Sequence, residues 1–251
     1  MTQEHLTGFT LIEISIVLVV IGLTTGGILA GRELIEAAKI RAQIKQVSNF
    51  STATAHFKDK YAALPGDIPQ AAATNFGLTF HATSYADTAW SNNGTIDDAG
   101  GNAPIRYAGR EPYLFSYDLK DANLINFTRR GSSYDVGFYP PVAANPSTGI
   151  FISSYRGNIW MYLGKTTYYE GSFLNDHSPG SIGTLTPSQA MSLDTKMDDG
   201  IPKSGAVLAV EIPSHLPATS NIAGQCVTDA TATSYNVTDN RMWCKLFIRF
   251  F

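Results

Sequence analysis

The chain is predicted to be an α+β protein. One long N-terminal helix, apolar on every side in its first half, leads through an amphipathic second half into a globular head built on a sheet. Three observations carry this reading. Residues 9–31 are a largely apolar run in which Glu13 is the one ionisable residue; residues 32–61 contain neither Pro nor Gly and carry an apolar stripe; and beyond residue 150 short β-branched or aromatic runs alternate with turn residues.

Composition agrees with this division. The chain has 251 residues, a formal net charge of −3 and 44% hydrophobic residues. Once the apolar helix is set aside, enough chain remains for one domain with a real core. The near-neutral charge provides no broad basic face, so nucleic-acid binding is not indicated. Asn, Ser, Thr, Gly and Tyr are abundant beyond residue 80 while Lys and Glu are sparse, a mix typical of exported, loop-rich proteins.

The first element is a candidate membrane span over residues 9–31. At about 1.5 Å rise per residue it crosses the roughly 30 Å hydrocarbon layer of a bilayer. Glu13 is its one ionisable side chain. A carboxylate in hydrocarbon costs several kcal/mol unless it is paired, so Glu13 is a functional candidate. Met1–Gly8 is polar and ends in the smallest residue, directly before the apolar run. Secretory signal peptides place their cleavage site after the apolar stretch rather than before it. A cut between Gly8 and Phe9 would keep the helix and create an α-amino group at Phe9, four residues from Glu13 and on the same helix face.

Gly8-Phe9-Thr10-Leu11-Ile12-Glu13, followed by Ile14-Ser15-Ile16-Val17-Leu18-Val19-Val20-Ile21-Gly22, resembles the processing and methylation signature of type IV pilins and type II secretion pseudopilins. The resemblance covers about the first quarter of the chain. It implies a pilin-like fold, with the long helix packed on an antiparallel β-sheet. It also implies removal of residues 1–8 by a prepilin peptidase, N-methylation of Phe9, engagement by an inner-membrane assembly platform, and homo-oligomeric assembly into a helical filament. In such filaments the acid matching Glu13 meets the N-terminal amine of an adjacent subunit. The leader departs from the family pattern: it carries Glu4 and His5 but no Lys or Arg.

Flanking charge points the other way. Arg32, Lys39 and Arg41 follow the span, and no basic side chain precedes it. Charge alone would leave the downstream side in the cytoplasm. The resemblance implies export of the head instead, and the two cysteines suit an oxidising compartment. The expected course is therefore inner membrane as precursor, then an extracellular filament, or the periplasm for a pseudopilin. A plain single-pass anchor is the alternative, and it gives no account of Gly8 or Glu13.

Beyond the span, Ile40, Ile44, Val47, Phe50, Thr54, Phe57 and Tyr61 recur at spacings of three and four and form one stripe. Arg32, Glu36, Lys39, Gln43, Gln46 and Lys58 fall largely elsewhere. The stripe holds no strict heptad, which argues against a coiled-coil stalk. Gly22, Gly26, Gly27 and Gly31 make two small-xxx-small pairs, suited to close helix packing in lipid or to loosening of the helix within a filament. The helix is expected to stop in Ala62–Gly66, where Leu64-Pro65-Gly66-Asp67 supplies turn chemistry. The division is thus 1–8 leader, 9–61 helix (9–31 spanning, 32–61 amphipathic) and 62–251 head. Tyr61–Asp67 also resembles a segment that follows the long helix in a subgroup of bacterial pilin-like proteins.

Within the head, residues 66–109 read as irregular. A helix is expected at Tyr113–Leu124, with Tyr113, Leu114, Tyr117 and Leu124 on one face. Strands are expected at Ile150–Ser154, Ile159–Leu163, Ala206–Glu211 and Trp243–Phe250. The last has apolar residues on both faces and is expected to be central. Thr186, Pro187 and Gln189 predict a helix start with a capping box.

Cys226 and Cys244 are the only cysteines and have no zinc spacing. They are either two free thiols or a disulfide, worth about 3 kcal/mol for such a loop; the resemblance implies the disulfide. Two acidic clusters, Asp194/Asp198/Asp199 and Asn92–Asp98, contain oxygen ligands of the kind calcium uses, though neither follows the EF-hand pattern. A solvated loop or helix C-terminal turn is the competing reading of each, and no other cofactor is indicated. No nucleophile elbow, phosphate loop or paired metal motif is present, so the chain is not read as an enzyme. The function implied is a structural subunit of a type IV pilus-like filament. The alternatives are a minor pilin, a type II secretion pseudopilin and a pilus-borne adhesin.

Overall fold

The computed structural model describes residues 9–78, 93–96, 110–127, 143, 148–155, 158–165, 183–210, 225–229, 231 and 233–249. The elements in chain order are α1 (Leu11–Tyr61), α2 (Gln70–Asn75), α3 (Arg110–Asp121), β1 (Thr148–Tyr155), β2 (Asn158–Lys165), α4 (Pro187–Met197), β3 (Val207–Val210) and β4 (Lys245–Arg249). The layout is α+β: a long helix, apolar at its N-terminal end, and a small antiparallel sheet. The chain divides into two compact units, Met1–Arg41 and Ala42–Phe251, so residues 42–61 of α1 belong to the unit that contains the sheet.

α1 is one helix of 51 residues. Its glycines at 22, 26, 27 and 31 do not interrupt it, and each faces open space. Thr24 and Thr25 turn their hydroxyls back onto the Val20 and Ile21 carbonyls at 2.9 and 2.8 Å, which hides these polar groups inside an apolar stretch. In the second half, Ile40, Val47, Phe50, Thr54, Phe57 and Tyr61 are buried. Gln43, expected off the stripe, is buried with them. It stands four residues before Val47 and seven before Phe50, and that geometry outweighs its polarity.

α1 ends where Ala62 takes a positive φ of 52°, and Pro65 excludes further helix. Gly66 has φ 86° and lies against α3: a Cβ there would run into the Glu111 carbonyl. The Gly66 amide donates to the Asp118 carboxylate at 2.7 Å. Asp67 is fully buried and accepts from the amides of Asn93 at 3.1 Å and Gly94 at 2.8 Å. The turn after the long helix is thus tied to two distant segments by aspartates. The short helix α2 lies in a stretch expected to be irregular; three consecutive alanines follow Gln70, which favours helix over the turn reading.

α3 starts three residues earlier than expected and ends before Leu124. Leu114 and Tyr117 are buried as predicted, while Tyr113's side chain lies outside the described residues. The sheet order is β1-β2-β4-β3, all antiparallel. One face carries Ile150, Ile152, Met161, Leu163, Val207, Ala209, Leu246 and Ile248, all buried. On the other, Tyr162 packs on Phe247 at 4.9 Å, with Trp160 and Leu208 beside them. β4, the last strand in the chain, is central, and its two apolar faces explain why. α3 lies against β1 and α4 against β3. α4 begins as predicted: Thr186 caps it, Gln189 completes the box and Pro187 occupies the first turn.

Candidate functional site

Among the described residues one helix, α1, is long and apolar enough to cross a membrane. Phe9, just ahead of it, is 85% exposed, its first turns expose Leu11, Ile12, Ile14 and Ile16, and exposed large apolar side chains continue to Ile35. So large an apolar surface is unusual on a soluble monomer and marks contact with lipid or another chain. As far as Gly31, Glu13 is the one ionisable side chain within it. Its Oε2 accepts from the Thr10 amide and the Thr10 hydroxyl, both at 2.8 Å, and the Glu13 amide donates to the Thr10 hydroxyl at 3.4 Å. Thr10 and Glu13 therefore form a capping box at the start of α1. Thr10 is not among the residues the sequence analysis singles out, although Thr-x-x-Glu is itself a sequence signature of such a box. Gly8, with the expected cleavage and leader, lies outside the described residues.

Cys226 and Cys244 form a disulfide. Both are buried, and the bridge joins the segment before Tyr235 to the residue preceding β4. Backbone pairing reinforces it: Cys244 bridges Leu185 just ahead of α4, and Val227 bridges Tyr235.

The acidic cluster Asp194, Asp198 and Asp199 gathers one carboxylate oxygen from each residue within 4.8 Å. Each carboxylate also accepts hydrogen bonds from the fold. Asp194, buried on α4, accepts from the Tyr235 hydroxyl at 2.7 Å and the Gly200 amide at 3.2 Å. Asp198 accepts from the amides of Ala206 and Val207, where the loop enters β3. Asp199 accepts from the Ile201 amide at 2.8 Å. These bonds make the cluster a staple between the α4 C-terminus, the next loop and the C-terminal segment. Burial pushes the Asp194 carboxyl up to about 6, against the Tyr235 and Gly200 bonds that pull it down. The Ser204 hydroxyl, with the Ile201 amide, holds Asp199 below its ordinary value. Tyr235 lies 41 residues from Asp194, and no local pattern announced the pairing.

In the second cluster Asn93 accepts from the Thr95 amide at 2.8 Å, and the amides of Asn93 and Gly94 hold Asp67. Asn92, Asp97 and Asp98 lie outside the described residues. Comparison with protein-family models, curated proteins and solved structures finds no match.

Proposed function

We propose that this chain is a structural subunit of a type IV pilus-like filament. It is matured by cleavage between Gly8 and Phe9 and polymerised through the apolar half of α1, with the helix lying on the sheet of a pilin-like head. The observation that carries the reading is an exposed apolar helix surface over residues 9–31, interrupted by a single acid, Glu13, at a fixed distance from the small residue Gly8. In a plain membrane anchor that acid closes the Thr10 cap and meets no further need. A filament subunit has one: a new amine at Phe9 of a neighbouring copy compensates the carboxylate when both leave water. Thr10 satisfies Glu13 within its own chain before that partner arrives.

The precursor sits in the inner membrane, where the peptidase and the assembly platform act on it. The head, stapled by its disulfide, belongs to an oxidising compartment. Replacing Glu13 with Ala tests the reading: cleavage continues and the yield of sheared surface filaments falls. Normal filament yield from that variant would reject the pairing role. Abundance of the chain in sheared filaments identifies a major subunit. Sparse incorporation identifies a minor pilin, and absence from the surface a pseudopilin.

A further inference from the structure

The two half-cystines are 0% exposed and lie where three segments meet. The Cys244 amide donates to the Leu185 carbonyl, and the Cys244 carbonyl accepts from the amides of Thr184 and Leu185. A side chain at Gly183 would run into the backbone of Trp243 and Cys244, so that segment is pressed against the bridge. On the other side the Cys226 carbonyl accepts from the Asn236 amide, and Tyr235 reaches across to Asp194. Cys244 directly precedes β4, which lies between β2 and β3 although it is the last strand of the chain. Thiol–disulfide exchange requires the attacking thiolate to reach one of the two sulfurs. With β4 seated, neither is within reach of solvent.

We propose that the bridge is closed before β4 docks, by a dithiol–disulfide oxidant acting on the open chain, and that docking of β4 then seals it from reductants. In the first step the thiolate of one cysteine attacks a sulfur of the oxidant's disulfide, forming a mixed disulfide and releasing one oxidant thiolate. The thiolate of the other cysteine then attacks the first cysteine's sulfur and expels the second oxidant thiolate. The chain loses two electrons and two protons, and the oxidant's disulfide becomes a dithiol. Oxidation is therefore a step of folding rather than a modification of the finished head. This inference goes beyond the filament reading and does not depend on it.

The test uses the purified full-length chain in detergent micelles. Dithiothreitol is added with and without guanidinium chloride, samples are quenched with a high-mass maleimide, and freed thiols are read as a gel shift. Reduction is the reverse of closure, so the opening required by one is the opening required by the other. The expected result is reduction more than about tenfold slower without denaturant, because the bridge must wait for local opening. A ratio of tenfold or less would overturn the proposal. Leu246→Ala removes a fully buried side chain of β4 and should bring the rate without denaturant toward the denatured rate. An unchanged rate in that variant would exclude β4 as the seal.

Discussion

The amide and the hydroxyl of Thr10 donate to the same oxygen of Glu13, each at 2.8 Å, so the one acid in the apolar run of residues 9–31 is held by a residue three positions before it. Both partners lie at the start of α1, where amides lack intrahelical acceptors and a carboxylate is favoured. Thr10→Val keeps the shape and removes the hydroxyl. The expected effect is a loss of about 1 kcal/mol from the first turn of α1, visible as faster amide exchange at residues 11–14 in micelles. Cleavage after Gly8 should continue unchanged.

Asp118 gives the head an uncommon pH profile. Its side chain is buried, and that burial pushes its carboxyl up to about 7, with Asp121 adding to the rise and the Gly66 amide opposing it. Asp194, raised to about 6, acts in the same direction. The folded state holds these protons more tightly than the unfolded chain, where an aspartate titrates near 3.8. The stability they confer is complete below that value and is lost as pH rises through about 6 and then 7. Thermal melts should give a higher Tm at mildly acidic than at mildly alkaline pH. Asp118→Asn keeps an acceptor for Gly66, flattens the profile and stabilises the alkaline form by roughly 1 kcal/mol or more. A melting temperature that climbs steadily from acid to alkaline pH would contradict this assignment.

The staple at Tyr235 has a separate test. Tyr235→Phe leaves the buried Asp194 without its hydroxyl donor and should cost about 1–3 kcal/mol in denaturant unfolding. The same change should raise the Asp194 carboxyl further, since the hydroxyl bond is one of the influences that lower it.

The turn after α1 depends on Gly66. Its φ of 86° disfavours any side chain, and the Glu111 carbonyl occupies the space a Cβ would need. Gly66→Ala should destabilise the head by about 2 kcal/mol or more, measured by chemical denaturation. A neutral result would mean that α3 and the turn separate easily.

These features differ in how far they could be read from residues alone. Periodicity gave the length of α1, because three-and-four spacing survives over many turns. Its two-sided apolar pattern placed β4 in the middle of the sheet before any pairing was known. Thr186-Pro187-Ser188-Gln189 carried its own start signal, and α4 begins there. Gln43 is buried against expectation because its position on the stripe outweighs its polarity. α2 was missed because six residues are too short for a periodic signal. Pairings between distant residues had no sequence trace: Asp118 with Gly66, Asp67 with Asn93 and Gly94, and Asp194 with Tyr235 each join segments that only the fold brings together. Asp194, Asp198 and Asp199 were legible as a cluster but not as acceptors for backbone amides, since an acid run looks the same whether it awaits a cation or caps a loop.

The most direct test of the assembly account is the intact mass of the protein recovered from the cells that make it. The expected mass is that of a chain that starts at Phe9 and carries one added methyl group, with the amine that Glu13 of a neighbour requires. A mature protein that retains Met1–Gly8 would contradict it, because no amine would then stand four residues ahead of that carboxylate.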